Sequence, residues 1–391
     1  IRATYPQLLK YREEGRLFPL YSGPVQDMAL DQLSTLDLID HIKKKVYNEG
    51  FTHIAFDDKD EAIYWNRIYK IHCIIARLKD IFPKGSFLYL TASLNGPKIY
   101  SDWCKRHKVE EELAVIPAAR FETVSKNMMF QSGLNLHINE IDNPIPLGKR
   151  PKKYLCYNRM PRLHRLKVIT ELHKANFIKD GHVSFHNEDG HLNHWERNDH
   201  AELDKEWTDT FKYFFDNVQP ELDYTLNKTA ERWNPADLQQ DDIQHFTESY
   251  FSIVNETLFY KAGYKHEHLV DLQATESVFL SEKIYKPLAM KHPFIVVGVD
   301  TTLENLRKFG YKTFSKWFDE SYDLEPDCDK RMDLAINEMK RLIALSDDEW
   351  QLIIKDMAPT LQHNFNRLAE AKNLIPTNIN MADLFKKTQL Y

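Results

Sequence analysis

At 391 residues the chain is too long for one ordinary hydrophobic core, so two domains are expected. Its 42% apolar, 28% charged and 12% aromatic residues are those of a globular protein with a large packed interior. A net charge of −6 supplies no global attraction for nucleic acid or membrane surfaces, and no apolar run approaches the roughly 18–20 residues that span a bilayer. The four cysteines (Cys73, Cys104, Cys156 and Cys328) are scattered without metal-like pairing and read as free thiols of a reducing compartment. No signal-peptide pattern is visible, although the chain opens on Ile1 and not on Met. A cytoplasmic protein without membrane partners is expected.

In chain order, Thr52–Phe56, Phe87–Thr91 and Leu113–Pro117 are short apolar runs that predict strands. Apolar spacing predicts a helix over Glu61–Phe82 and a shorter one over Tyr100–His107. The segment 143–153 is rich in proline and base, lacks periodicity, and is the linker candidate. Strand and helix then alternate again: Tyr154–Tyr157 and His182–Phe185 as strands around a helix over Arg162–Asn176. A polar, histidine-rich insertion follows, with aromatics (Trp207, Phe211, Tyr213, Phe214, Phe215, Trp233) that suit a packed helical insertion over about 190–245. Tyr250–Asn255 and Phe294–Val297 are strands; Thr302–Phe309, Lys330–Leu345 and Asp347–Ala371 are helices. Alternation of this kind implies parallel strands with helical crossovers, and two successive halves predict twin Rossmann-like α/β domains facing across a cleft. The expected divisions are 1–148, 149–345, and a C-terminal helical segment, 346–391, that packs back on the first domain.

The most informative stretch is Phe279–Gly298. Ser281 is a good N-cap, and Glu282 sits in a first turn that favours carboxylates. Lys283 sits there too, against the helix dipole, and Pro287 should kink the helix. Local rules broken this close together concentrate at functional sites, and a helix N-terminus carrying a cation seats phosphate. The stretch reads as half of a nucleotide-sugar site.

Other polar residues fall at the expected carboxyl ends of strands, where open α/β sheets bind ligands. Arg159, Arg162 and Arg165 recur at helical spacing at a helix start, where a bound anion compensates them. Ser184 and His186 end the next strand. Glu256 and Glu282 can accept hydroxyls of a ribose and a sugar, while Lys283, Lys286 and the arginines supply charge for a diphosphate and its departure.

Taken together, Asn158-Arg-x-x-Arg-x-His-Arg165, Asn255-Glu-Thr257, Ser281-Glu-Lys-x-x-Lys-Pro287 and the stretch Leu303–Asp323 resemble motifs of GT-B-fold glycosyltransferases of large DNA viruses and phages. The Glu-Thr and Ser-Glu-Lys pair resembles, more distantly, the donor site of α-1,3-fucosyltransferases. The resemblance covers roughly 154–325. It implies a nucleotide-sugar donor held by Asn158, Arg159, Arg162, Arg165, Ser184, Glu256, Thr257, Ser281, Glu282, Lys283 and Lys286, and a host cytoplasm if the source is viral. The acceptor is then a glycan, a protein or a hydroxylated DNA base.

The resemblance does not reach the first third, so the general base comes from bare chemistry. Asp57, Asp58 and Glu61 follow the strand Thr52–Phe56, and an acceptor hydroxyl needs a carboxylate within hydrogen-bond reach. A solvated acidic turn before a helix is the plain alternative. Asp58-Lys-Asp60 is also an Asp-x-Asp motif of the kind that holds a divalent metal in GT-A enzymes. The histidines His182, His186, His191, His194 and His200 lack cysteine company and helical placement, so zinc is not expected. The basic run Lys149–Lys153 with Arg159–Lys167 leaves open a nucleic-acid-binding role, and a non-catalytic sugar- or phosphate-binding module is the third class. The favoured reading is a metal-independent glycosyltransferase with no cofactor beyond its nucleotide-sugar co-substrate.

Overall fold

A computed structural model describes residues 17–21, 43, 53–58, 63, 65–117, 122, 148–158, 162–185, 204–219, 222, 240–261, 264–265 and 277–371. The chain divides into two compact units. Unit 1 comprises Ile1–Thr123 with Thr275–Phe279 and Lys372–Tyr391; unit 2 comprises Val124–Ala274 with Leu280–Ala371.

Unit 1 carries the parallel sheet β1 (Leu17–Tyr21), β2 (His53–Asp58), β3 (Phe87–Thr91) and β4 (Leu113–Pro117), in that spatial order. Helices α1 (Trp65–Leu78) and α2 (Gly96–His107) are its crossovers. Helix α1 buries Ile68, Ile71, Ile75 and Leu78 with Phe56, Phe87 and Tyr89 of the sheet, as its 3.6-residue spacing requires. Strand β1 was not anticipated, because Pro19 interrupts its apolar run; proline is tolerated there because β1 is an edge strand. The chain also returns to unit 1 just before the Ser281 motif. Val278 accepts from Leu94 N–H at 2.9 Å and donates to Asn95 Oδ1 at 2.9 Å.

Unit 2 carries β5 (Lys152–Cys156), α3 (Leu163–Lys174), β6 (Gly181–Val183), α4 (Lys205–Tyr213) and α5 (Gln240–Glu248). These are followed by β7 (Ser249–Asn255), α6 (Glu282–Ala289), β8 (Phe294–Val297), α7 (Thr302–Lys308), α8 (Cys328–Ala344) and α9 (Asp347–Ala369). Its strands are parallel in the order β6-β5-β7-β8. Every residue of β7 and β8 is buried, the pattern of strands covered on both faces. Gly181 is required where β6 passes β5, because a Cβ there would run into the ring of Tyr154. Trp350 of α9 stacks on Tyr250 and Phe251 of β7, each at 5.4 Å between ring centroids, and donates to Leu342 O at 3.0 Å. Asp347, in the first turn of α9, pairs with Lys153 at 2.6 Å and Lys149 at 3.4 Å. Lys152 donates to Lys179 O at 2.6 Å. Three cations of the basic run therefore have partners inside unit 2.

The expected α/β class, with parallel sheets and helical crossovers, is what the chain adopts. All four cysteines are free. None of the described helices is long and apolar enough to cross a membrane.

Candidate functional site

The strand order of unit 2 reverses at β5. From β5 the chain steps outward to β6, then returns to lay β7 on the other side of β5. The loops leaving β5 and β7 therefore diverge, and such a switch point opens a crevice at the carboxyl ends of the strands. The described strands of unit 1 run in simple sequence and contain no such reversal.

Polar side chains converge on that point. Asn255 Nδ2 donates to Asn158 Oδ1 at 2.9 Å, and both amide nitrogens lie 3.4 Å from Cys156 Sγ. Asn158 also bonds Ser184 twice: its backbone N–H reaches Ser184 Oγ at 3.1 Å and its Nδ2 reaches Ser184 O at 3.1 Å. These contacts tie the ends of β5, β6 and β7 together. Ser184 is fully buried in this latch. Asn255 Oδ1 is buried and has no hydrogen-bond partner among the described residues.

Helix α3 starts over the same edge. Arg162 is its N-cap residue, in extended conformation (φ −146°, ψ 149°), and no acid occupies the first turn. His164 Nε2 donates to Glu256 O at 2.9 Å, which fixes its tautomer. Arg165 reaches Asn255 O at 3.2 Å and Glu256 O at 3.4 Å. Burial first, then the nearby Arg165 and Arg162, hold His164 well below the usual imidazole range, so it is neutral. Both side chains are buried and grip the carbonyls of Asn255 and Glu256, where the chain leaves β7.

Helix α6 supplies the other side. Ser281 caps it as its sequence suggests, in extended conformation (φ −92°, ψ 179°), accepting from Lys283 N–H at 3.3 Å. Pro287 stands in the sixth position and the helix continues only to Ala289. Lys283 Nζ pairs with Glu282 Oε1 at 2.7 Å. Burial raises the Glu282 carboxyl, but Lys283 and Lys286 outweigh it and hold the group at about 2. Glu256 lies beneath this turn with 1% exposure. Its Oε1 accepts from Ser281 N–H at 3.1 Å and its Oε2 from Ser281 Oγ–H at 2.6 Å. Thr257 N–H adds a bond to Oε2 at 3.2 Å. Burial pushes the Glu256 carboxyl up, against the pull of Lys283 and Ser281.

The structure thus gathers Asn158, Arg162, Arg165, Ser184, Glu256, Thr257, Ser281, Glu282, Lys283 and Lys286 at one sheet edge of unit 2. Arg159 and Glu61 lie outside the described residues, as do His186, His191, His194 and His200. Asp57 and Asp58 belong to unit 1 and occupy the last two positions of β2, paired with Leu90 and Thr91 of β3; the strand runs two residues further than anticipated. Among the described residues no cluster of three or more His, Cys, Asp or Glu is arranged to hold a metal.

Two contributors were quoted in the motifs but not assigned roles. Asn255 and His164 act only once β7 lies beside β5 and α3, which strand order decides and local sequence does not. A third element is Asp323. Its carboxylate accepts from Leu303 N–H at 2.7 Å and Glu304 N–H at 3.0 Å, filling the N-terminus of α7. The first turns of α3 and α6 carry the cations of this edge.

No protein-family model matches the chain, and no curated protein matches it. Among solved structures it is similar to the crystal structure of an α,α-trehalose-phosphate synthase (UDP-forming) from Burkholderia vietnamiensis. The two share 9% identity over 86% of this chain and 70% of that chain, with a TM-score of 0.36.

Proposed function

We propose that the chain is a nucleotide-sugar-dependent glycosyltransferase of the GT-B type. The observation that carries this reading is the first turn of α6. A capped helix N-terminus at the switch-point edge there presents Glu282 and Lys283 side by side, with Lys286 in the following turn. Backbone N–H groups, the helix dipole and these cations suit the diphosphate, as does Arg162 at the start of α3, with Arg159 three residues before it in the sequence. A carboxylate held ionised beside them suits a hydroxyl pair such as that of a ribose.

In the proposed reaction the acceptor hydroxyl attacks the anomeric carbon as the bond from that carbon to the diphosphate oxygen breaks. The nucleoside diphosphate leaves with the bonding electrons, and the cations stabilise the charge that develops on it. A carboxylate takes the acceptor proton: Asp58 first, then Asp57, the last two residues of β2, with Glu61, which follows them in the sequence, third. The acceptor is a hydroxyl of a glycan, a protein or a modified DNA base. Lysine and arginine neutralise the diphosphate in this scheme, so turnover should survive EDTA; loss of turnover in EDTA would favour an Asp58/Asp60 metal site instead.

The test is a thermal-shift screen of nucleoside diphosphates and their sugar esters, followed by calorimetry. A ligand at 100 times its Kd stabilises by about 2.7 kcal/mol, well above the resolution of the method. Strongly salt-dependent duplex binding with no response to any nucleotide sugar would replace the proposal with a nucleic-acid-binding role. Donor binding without hydrolysis or transfer to any acceptor would reduce it to a binding module.

A further inference from the structure

We propose that Glu256 is a positioning residue for the donor site, acting on the ligand only through Ser281 and the first turn of α6. This rests on the function proposed above.

Glu256 is itself rigidly held. Its N–H donates to Val297 O at 2.9 Å, and its carbonyl accepts from His164 and Arg165. Its side chain then reaches across 25 residues of sequence to Ser281, closing the long connection between β7 and α6. An ionised carboxylate can only accept, so the Ser281 hydroxyl must donate to Oε2. That fixes the hydroxyl rotor and turns the lone pairs of Oγ toward Lys283 N–H at 3.3 Å and Lys283 Nζ at 3.4 Å. The direction of the Ser281 hydroxyl bond, the one bond in this series free to run either way, follows from the charge on the carboxylate.

The burial of Glu256 points the same way. Both of its oxygens are occupied within the protein, and the residue is 1% exposed, so the side chain presents nothing to a ligand. Burying a carboxylate costs stability that an apolar side chain would not. What it supplies here is a fixed orientation for Ser281, and with it the placement of Glu282 and Lys283. Glutamine at this position keeps the shape and one acceptor, but in either orientation its NH2 faces a backbone N–H, that of Ser281 or that of Thr257, so one bond to the turn is lost.

The experiment is a double-mutant cycle on donor affinity, using the nucleoside diphosphate that binds the full chain in calorimetry. Glu256→Gln and Ser281→Ala should each weaken binding by about fivefold, the scale of a lost helix cap. The double variant should be no weaker than the weaker single variant, because both break one connection. Effects that multiply in the double variant would overturn the proposal. At saturating donor, turnover of Glu256→Gln should stay within about twofold while KM rises, whereas a residue that only holds the fold together would leave KM unchanged. Hydrogen exchange provides a ligand-free arm: the Ser281 and Lys283 amides should exchange faster in Glu256→Gln, with β7 unaffected. Unchanged exchange at both amides would also overturn the proposal. Faster exchange in a protein that binds no nucleoside diphosphate would uphold the clamp and reject the glycosyltransferase reading.

Discussion

Asn255 donates to Asn158 at 2.9 Å across a separation of 97 residues, at the point where β5 and β7 send their loops apart. The pair is buried, so each amide depends on the other for satisfaction. Asn255→Ala should cost about 1–3 kcal/mol, because it leaves the Asn158 carbonyl oxygen without its donor. Asn255→Asp should cost more, since it faces that oxygen with a carboxylate in a buried site. Urea unfolding of both variants checks this, and a smaller loss in Asn255→Asp than in Asn255→Ala would refute it.

This pair marks the boundary of what the sequence discloses. Phe87–Thr91, Leu113–Pro117 and Phe294–Val297 were legible to the residue, because each is a short apolar run with polar or proline punctuation. The Ser281 cap was legible because capping is a local property of one hydroxyl and the next turn. Strand β1 was hidden by Pro19, and α5 by the polar residues that open it. The strand order that puts Asn255 beside Asn158 is a non-local property. The same holds for Glu256, whose carboxylate looks from sequence like one facing a ligand. Whether a side chain at a strand end faces in or out depends on what the chain brings over it later.

The proposed donor contacts predict a separation of binding from folding. Glu282→Gln preserves shape but weakens a charge-assisted pair, so donor affinity should fall by about tenfold with little change in stability. Arg162→Ala should weaken donor binding as well, and Arg162→Lys should recover it only in part, because an ammonium cannot grip two oxygens as a guanidinium does. Calorimetry beside thermal melts decides the matter. Unchanged affinity in both Glu282→Gln and Arg162→Ala would remove the donor site from this edge.

Stability should fall on mild acidification. Burial holds His182 at about 4, with His245 adding to the shift and Glu248 opposing it. Burial likewise holds His292 at about 3 and His164 well below the ordinary value of 6.5. A depressed folded pKa means that the unfolded chain takes the proton first. The stability is therefore present above about pH 6.5 and is lost as pH falls toward 4 and then 3. Three such groups give a slope of up to about 4 kcal/mol per pH unit once the unfolded histidines are charged. Glu256, Glu320 and Asp323, all pushed up by burial, act in the opposite sense and reduce it. In urea melts from about pH 7 to about pH 4, His182→Gln should flatten the slope by up to about 1.4 kcal/mol per pH unit. A slope identical to that of the parent protein would show that His182 does not contribute.

The proposed base gives the last prediction, and it is independent of the donor edge. Asp57 and Asp58 close β2 at its carboxyl end, where a sheet of this kind places its reactive groups. If Asp58 takes the acceptor proton, Asp58→Asn should leave donor affinity intact and lower turnover by roughly 10²–10⁴-fold. Asp57→Asn should then have a much smaller effect, since the two occupy consecutive strand positions and one group suffices for one proton. The reverse ranking would assign the base to Asp57, and full turnover in both would pass the role to Glu61, tested by Glu61→Gln. Donor hydrolysis without acceptor provides the control, because water attack does not need the acceptor proton to be taken in the same place. A variant that loses hydrolysis and donor affinity together has lost more than the base, whereas loss of transfer alone identifies the base.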